Sequence, residues 1–103
     1  MYNKIKLLVF TVVFLIFSAV SFAKTEIDGI YYYLNADNTA LVTSSNNKYS
    51  GSIIIPSSVI SSGVKYTVTG IMYKAFYHCT DLTSVTIPNT VTRIGYEAFY
   101  GCN

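Results

Sequence analysis

The sequence predicts a mainly β fold with short helical returns, in which a β-hairpin cap precedes the start of a stacked solenoid. Two observations support this prediction, and an apolar leader precedes the segments that provide them. An apolar leader occupies the N-terminus, aromatic and β-branched runs separated by turn residues follow it, and two segments near the C-terminus, 68–80 and 91–103, repeat each other.

The leader, residues 1–23, is predicted to be a signal peptide. Lys4 and Lys6 precede an apolar run at residues 7–17, and small residues then lead to Ala23, after which cleavage is expected. The alternative is an uncleaved membrane anchor, because the uncharged stretch 7–23 reaches the lower limit of length for spanning a bilayer. Both interpretations predict an exported protein that is secreted or held at the cell surface.

The charge of the remaining chain excludes an electrostatic nucleic-acid binder and gives no reason to expect a polybasic membrane-surface protein. Residues 24–103 carry five basic and five acidic side chains, so their net charge is zero. Binding to nucleic acid requires a surplus of Lys and Arg, and a polybasic membrane-surface protein requires the same. We therefore expect no nucleic-acid partner, and membrane contact only through the signal segment if it stays uncleaved.

Four segments after the leader have the composition of β-strands, being rich in aromatic and β-branched residues. They are residues 30–34, 39–43, 49–55 and 64–68. Turn residues at 35–38 join the first two into a predicted hairpin, and Pro56 ends the third. The N-terminal β-cap is predicted to span residues 24–51. In the first strand, period-2 alternation puts either Tyr32 alone or both Tyr31 and Tyr33 on the outer face.

The C-terminal half contains an internal repeat. Residues 68–80 and 91–103 are identical at eight of thirteen positions at an offset of 23. A fainter match, at an offset of 32, aligns residues 52–59 with 84–91, which implies about nine inserted residues near positions 60–67. Residues 52–103 are therefore predicted to hold one irregular repeat, one complete repeat and one truncated repeat.

Residues 82–103, LTSVTIPNTVTRIGYEAFYGCN, resemble the repeat of BspA-like leucine-rich-repeat proteins. The IP, IG, AF and C landmarks of that family fall in the same order, although Met72 replaces the Gly of the IG pair in the first copy. Residues 27–71 are similar to the β-cap that often precedes such arrays. The resemblance implies a leucine-rich-repeat solenoid, a location at the cell surface and a role in adhesion, and members of the family usually continue for several to many repeats.

The repeat pattern predicts which side chains face inward and which face outward. Thr83, Ser84 and Thr86 are expected on the outer face of a short strand, where rows of hydroxyls form a candidate binding face. Such residues also suit an exposed strand simply because they keep it soluble and strand-forming. Residues 97–101 are expected to form a short helical or 3₁₀ return. The apolar positions predicted to face inward are Leu82, Val85, Ile87, Val91 and Ile94.

The cysteines and the histidine do not form a recognisable reactive site. Cys79 and Cys102 lie one repeat apart, which places them about 5 Å apart on stacked coils, either as a disulfide or, as we favour, as two unbridged buried thiols. His78 aligns with Gly101 in the second copy, so a solvent-facing position is expected. Two Cys and one His are too few for a zinc site, and the five carboxylates are scattered. We predict no cofactor and no enzymatic activity.

Two functions remain from these observations. The first is an exported binding module that engages an extracellular or host protein in adhesion. The alternative is a truncated, C-terminally uncapped fragment of a longer repeat protein, with a structural role or with self-association through the open end of the solenoid. Catalysis would require a further domain downstream.

Overall fold

The computed structural model describes residues 23–103, and eight β-strands lie in this part of the chain. Residues 1–22, nearly all of the predicted signal peptide, lie outside the described residues. No residue from 23 to 103 is helical, and this part of the chain therefore has no helix long and apolar enough to cross a membrane. The strands are β1 (Thr25–Ile27), β2 (Ile30–Leu34), β3 (Thr39–Thr43), β4 (Gly51–Ile54), β5 (Ser58–Ser61), β6 (Val64–Ile71), β7 (Leu82–Thr86) and β8 (Arg93–Ile94).

The strands form two sheets that combine hairpins with parallel stacking. In the larger sheet the order is β1-β2-β3-β6-β5, and β8 also pairs with β6. The β1–β2, β2–β3 and β5–β6 pairs are antiparallel, whereas β3–β6 and β6–β8 are parallel. The second sheet is the parallel pair β4–β7. We call β3–β6–β8 the first ladder and β4–β7 the second ladder. Parallel pairing of successive coils confirms the predicted solenoid.

The two repeat offsets are the registers of two parallel strand pairs, β6–β8 in the first ladder and β4–β7 in the second. Ile71 lies opposite Ile94 in the first ladder, which is the offset of 23, and Ser52 lies opposite Ser84 in the second, which is the offset of 32. The difference between the offsets is accommodated by the β5–β6 hairpin, which lies between the two ladders in the earlier coil. The boundary between cap and repeats after residue 51 stays a prediction.

The return segments are turns, so the expected helical return at residues 97–101 is wrong. Each turn is closed by a bond between residues three apart, as from the Ala75 N–H to the Met72 carbonyl at 3.1 Å, and the next turn begins two residues later. A helix is prevented because Lys74 and His78 adopt left-handed backbone conformations, with φ of 56° and 54°. The second copy repeats this geometry at Glu97 and Gly101.

The core joins the cap to the first coil through aromatic rings. Phe76 is fully buried, and its ring lies 4.8 Å from that of Tyr49 and 5.1 Å from that of Phe99. The Tyr49 hydroxyl donates to the Thr43 carbonyl at 2.7 Å and accepts from the Tyr31 N–H at 3.0 Å. Burial raises the pKa of Tyr49 to about 12.

Strand β2 shows which of its three tyrosines face inward. Tyr32 faces inward and is fully buried, and burial raises its pKa to about 12. Tyr31 and Tyr33 therefore face the opposite side of the sheet, where both are half-buried.

Two of the five predicted inward positions are exposed. Ile87 is 37% exposed and Ile94 is 54% exposed, whereas their equivalents one coil earlier, Ile55 and Ile71, are 2% and 3% exposed. The difference arises because the later coil covers the earlier one, while no further coil within residues 23–103 covers the later one. Inward position in a solenoid therefore gives burial only when a neighbour stacks on it. The other three positions are half-buried: Leu82, Val85 and Val91.

Candidate binding face

The second ladder presents the three predicted face residues to solvent. Thr83, Ser84 and Thr86 are exposed on β7, while Val85 turns toward the core. The register shifts by one residue between Gly51 and Ser52 of β4, which leaves Thr83 as an extra residue on β7. Such a bulge redirects a side chain. Here it allows two successive hydroxyls to share one exposed surface.

Hydrogen bonds join the hydroxyls of the two strands. Ser84 Oγ donates to Ser52 Oγ at 3.0 Å, and Ser52 Oγ lies 3.5 Å from Thr83 Oγ1. Next to them, Ile54 is paired in register with Thr86 and is 71% exposed. We call this surface the hydroxyl face; it consists of Ser52, Ile54, Thr83, Ser84 and Thr86.

The sequence-based prediction found three of the five residues of the hydroxyl face. Ser52 and Ile54 lie on a different coil from the three predicted residues and were not selected. The signal that could have found them is the offset of 32, which aligns them with Ser84 and Thr86. The face contains no ionisable side chain, so it offers hydroxyl donors and acceptors around one apolar group. Within residues 23–103, the Ser52, Thr83 and Ser84 side chains hydrogen-bond only to one another.

The cysteines are unbridged in the structure. Cys79 is buried and burial raises the pKa of its thiol, while Cys102 is half-buried and its Sγ donates to the Phe76 carbonyl at 2.9 Å. His78 is exposed, as its alignment with Gly101 predicted. Among residues 23–103, no three His, Cys, Asp or Glu side chains come together as metal ligands.

A column of aromatic side chains lines the return segments. Tyr73 stacks on Tyr96 with centroids 6.3 Å apart, and Tyr77 stacks on Tyr100 at 5.6 Å. Lys74 Nζ lies 4.4 Å from the Tyr77 centroid, and a hydrogen bond with Tyr73 raises the pKa of this lysine. Because the rings face one another between coils, this column holds the two coils together.

Comparison with known proteins identifies the repeat. A family model described as BspA type Leucine rich repeat region (6 copies) matches residues 43–103. The crystal structure of a leucine rich cell surface protein from Faecalibacterium prausnitzii A2-165 has 36% identity over 82% of this chain, with a TM-score of 0.68. No curated protein matches the chain.

Two further solved structures are leucine-rich repeat proteins. The one from Bacteroides ovatus ATCC 8483 has 34% identity over 76% of this chain and a TM-score of 0.69. The one from Bacteroides capillosus ATCC 29799 has 30% identity over 78% and a TM-score of 0.65. This chain spans 22% of the Faecalibacterium protein, 21% of the B. ovatus protein and 59% of the B. capillosus protein. With its two parallel ladders and its matching repeat, the chain belongs to the BspA-type leucine-rich-repeat family.

Proposed function

We propose that this protein is a cell-surface binding module that engages an extracellular or host protein through the hydroxyl face. The observation that carries the proposal is the exposure of Ile54, 71%, beside a row of hydroxyls that continues across two coils. An apolar side chain bordered by hydroxyl groups supplies, on a small scale, the apolar centre and polar rim that protein interfaces combine.

The location at the cell surface is supported by similarity. The Faecalibacterium relative is described as a cell surface protein, and the apolar leader of this chain is typical of exported proteins. Solenoids bind macromolecules along the faces that their stacked strands form. The uncharged character of the hydroxyl face favours recognition by direct hydrogen bonds and apolar contact over long-range electrostatic attraction.

Two isoleucines make a matched test of this proposal. Ile54 and Ile60 are exposed to 71% and 67%, and both lie on strands, but Ile60 is on β5 of the other sheet. The protein, purified after export, is tested for binding to a panel of purified extracellular-matrix proteins by surface plasmon resonance. We expect Ile54→Lys to weaken binding at least about tenfold, because truncating or charging a central interface residue costs roughly 2 kcal/mol. Ile60→Lys should bind like the parent.

The proposal fails if no matrix protein is retained above a non-binding reference surface, or if the two lysine variants bind equally well. Circular dichroism of both variants gives the required control, because each must show the parent spectrum.

Self-association is the second candidate function. Within residues 23–103, β7 pairs only with β4, and an open cavity of about 350 Å³ lies beside it, lined in part by Leu82, Val85 and Phe99. An unpaired strand edge next to apolar side chains can accept a strand from a second copy. Sedimentation velocity over a range of concentrations should then show reversible dimers, and a monomer at every concentration would exclude this candidate.

A further inference from the structure

A separate cavity of about 480 Å³ lies on the first ladder, beside the turn of the β2–β3 hairpin. Leu41, Gly70 and Arg93 are aligned across the three strands of this ladder as successive register partners. Gly70 is buried between these neighbours. A Cβ at Gly70 would lie 3.0 Å from Leu41 Cδ2 and 3.3 Å from the Arg93 carbonyl oxygen, so this part of the cavity lining is closely packed and leaves no room for a side chain.

One wall of the cavity carries a guanidinium group. Arg93 is the only arginine in the sequence, and its side chain is exposed. Arg93 forms no ion pair with any of residues 23–103; the salt bridge in this part of the chain joins Lys74 and Glu97. An unpaired guanidinium presents a planar set of donors that matches a carboxylate.

The lining also carries acceptors and hydroxyls. Asp37 Oδ1 accepts from Thr39 Oγ1 at 2.6 Å and from the Thr39 N–H at 3.2 Å, and these bonds lower the pKa of Asp37. Thr69 and Thr92 add further hydroxyls to the lining. A fixed, ionised carboxylate among hydroxyls suits a ligand that is itself rich in hydroxyl donors, and it disfavours a ligand with several carboxylates.

An aromatic ring completes the site. Tyr73 lines the cavity and is 56% exposed, although its ring also stacks on Tyr96 and has Lys74 Nζ 5.2 Å from its centroid. The exposed part of the ring can contact the C–H groups of a ligand. The volume falls within the range of small-molecule sites. We propose that this cavity binds an acidic sugar, a uronate residue of a polysaccharide, with its carboxylate on Arg93, its hydroxyls on Asp37 and the threonines, and its C–H groups against the exposed part of Tyr73. A peptide carboxylate would also satisfy Arg93, but a sugar ring offers Asp37 and the threonines several adjacent hydroxyls, each of which can both donate and accept, whereas a peptide offers one backbone N–H per residue.

The uronate site is distinct from the hydroxyl face, because the two lie on different ladders. The test is isothermal titration of the exported protein with a galacturonate trisaccharide. Arg93→Gln should weaken binding about tenfold, as expected for the loss of a charge-assisted hydrogen-bonded pair. Lys65→Gln is the matched control, because it also removes one positive charge from an exposed position of β6 but lies outside the cavity lining, and it should leave the affinity unchanged.

Three outcomes would overturn the proposal. The first is that the Arg93→Gln and Lys65→Gln variants bind the galacturonate trisaccharide with equal affinity. The second is that the parent protein binds an uncharged galactose trisaccharide as tightly as the galacturonate trisaccharide. The third is that the parent does not bind galacturonate at millimolar concentrations. Tighter binding of a glutamate-containing tripeptide would also overturn it, by assigning the cavity to peptide carboxylates. Arg93→Lys provides a second variant, and it should bind more tightly than Arg93→Gln but less tightly than the parent, because it keeps the charge and loses the bidentate geometry.

Discussion

Replacement of Gly95 by Ala should separate the two stacked coils. A Cβ at this position would lie 2.6 Å from the Met72 carbonyl carbon and 2.9 Å from Tyr73 Cα, both backbone atoms of the preceding coil. Ordinary contact begins at 3.4 Å, so the coils would have to move apart locally by at least about 0.8 Å, and the Tyr73 backbone nitrogen lies closer still. Backbone atoms cannot turn aside as a flexible side chain can.

Such a movement would break the hydrogen bonds that connect the coils. The Gly95 N–H donates to the Ile71 carbonyl at 2.7 Å, and two neighbouring bonds, to the Thr69 and Tyr96 carbonyls, measure 3.0 and 3.2 Å. A further separation of about 0.8 Å takes all three to the limit of hydrogen bonding or past it. At about 1 kcal/mol each, their loss should lower the free energy of unfolding by roughly 3 kcal/mol. That is a large part of the stability of a domain of this size.

The measurement is urea unfolding followed by circular dichroism, with Gly29→Ala as the control. Gly29 has a φ of +87° and no atom within 4 Å of an added Cβ, so its substitution costs only the left-handed backbone strain, about 1 kcal/mol. The reasoning is refuted if Gly95→Ala is no more destabilising than Gly29→Ala.

Three further predictions concern the core. Phe76→Ala should lower the free energy of unfolding by about 4 kcal/mol in urea denaturation, and Phe99→Ala should lower it by less. The reason is that Phe76 is fully buried between two rings, whereas Phe99 is only half-buried. Equal losses of free energy in the two variants would contradict the stacking. Alkaline titration should lower stability between pH 10 and 12, because Tyr32 and Tyr49 keep their protons in the folded state to a pKa of about 12 but lose them near 10 when unfolded. The two tyrosines each contribute roughly 2 kcal/mol to the free energy of unfolding, which is present below pH 10 and lost by pH 12. Tyr49→Phe should reduce this loss, and a variant with the same pH profile as the parent would contradict the prediction. Mass spectrometry after alkylation should find Cys79 modified only in denaturant, because this residue is buried and the pKa of its thiol is raised. Rapid alkylation of Cys79 in the folded protein would contradict its burial.

The parallel registers were predictable from sequence because a solenoid places equivalent residues at equivalent positions in successive coils. The repeat offset of 23 is therefore the separation of the paired residues Ile71 and Ile94, and the offset of 32 is that of Ser52 and Ser84. The β2–β3 hairpin was equally accessible, because its turn residues are typical of hairpins.

Other features depend on backbone conformation that composition does not reveal. The returns contain Lys74 and Glu97 in left-handed conformations, which these residue types rarely adopt, so the sequence favoured a helix. The bulge at Ser52 and the cavity beside Gly70 were also missed, since each depends on the alignment of separate strands. The outward direction of Thr83, Ser84 and Thr86 followed from the repeat, whereas their role in binding stays a proposal.

Both proposed binding surfaces depend on the parallel registers of the two ladders, and one NMR measurement tests them together. Scalar couplings across hydrogen bonds should connect the Gly95 amide nitrogen to the Ile71 carbonyl carbon in the first ladder, and the Ile55 amide nitrogen to the Thr86 carbonyl carbon in the second. The structure predicts both couplings, from hydrogen bonds of 2.7 and 3.0 Å. Couplings from these amides to other carbonyls would contradict the stacking of the coils, and with it the hydroxyl face and the uronate site.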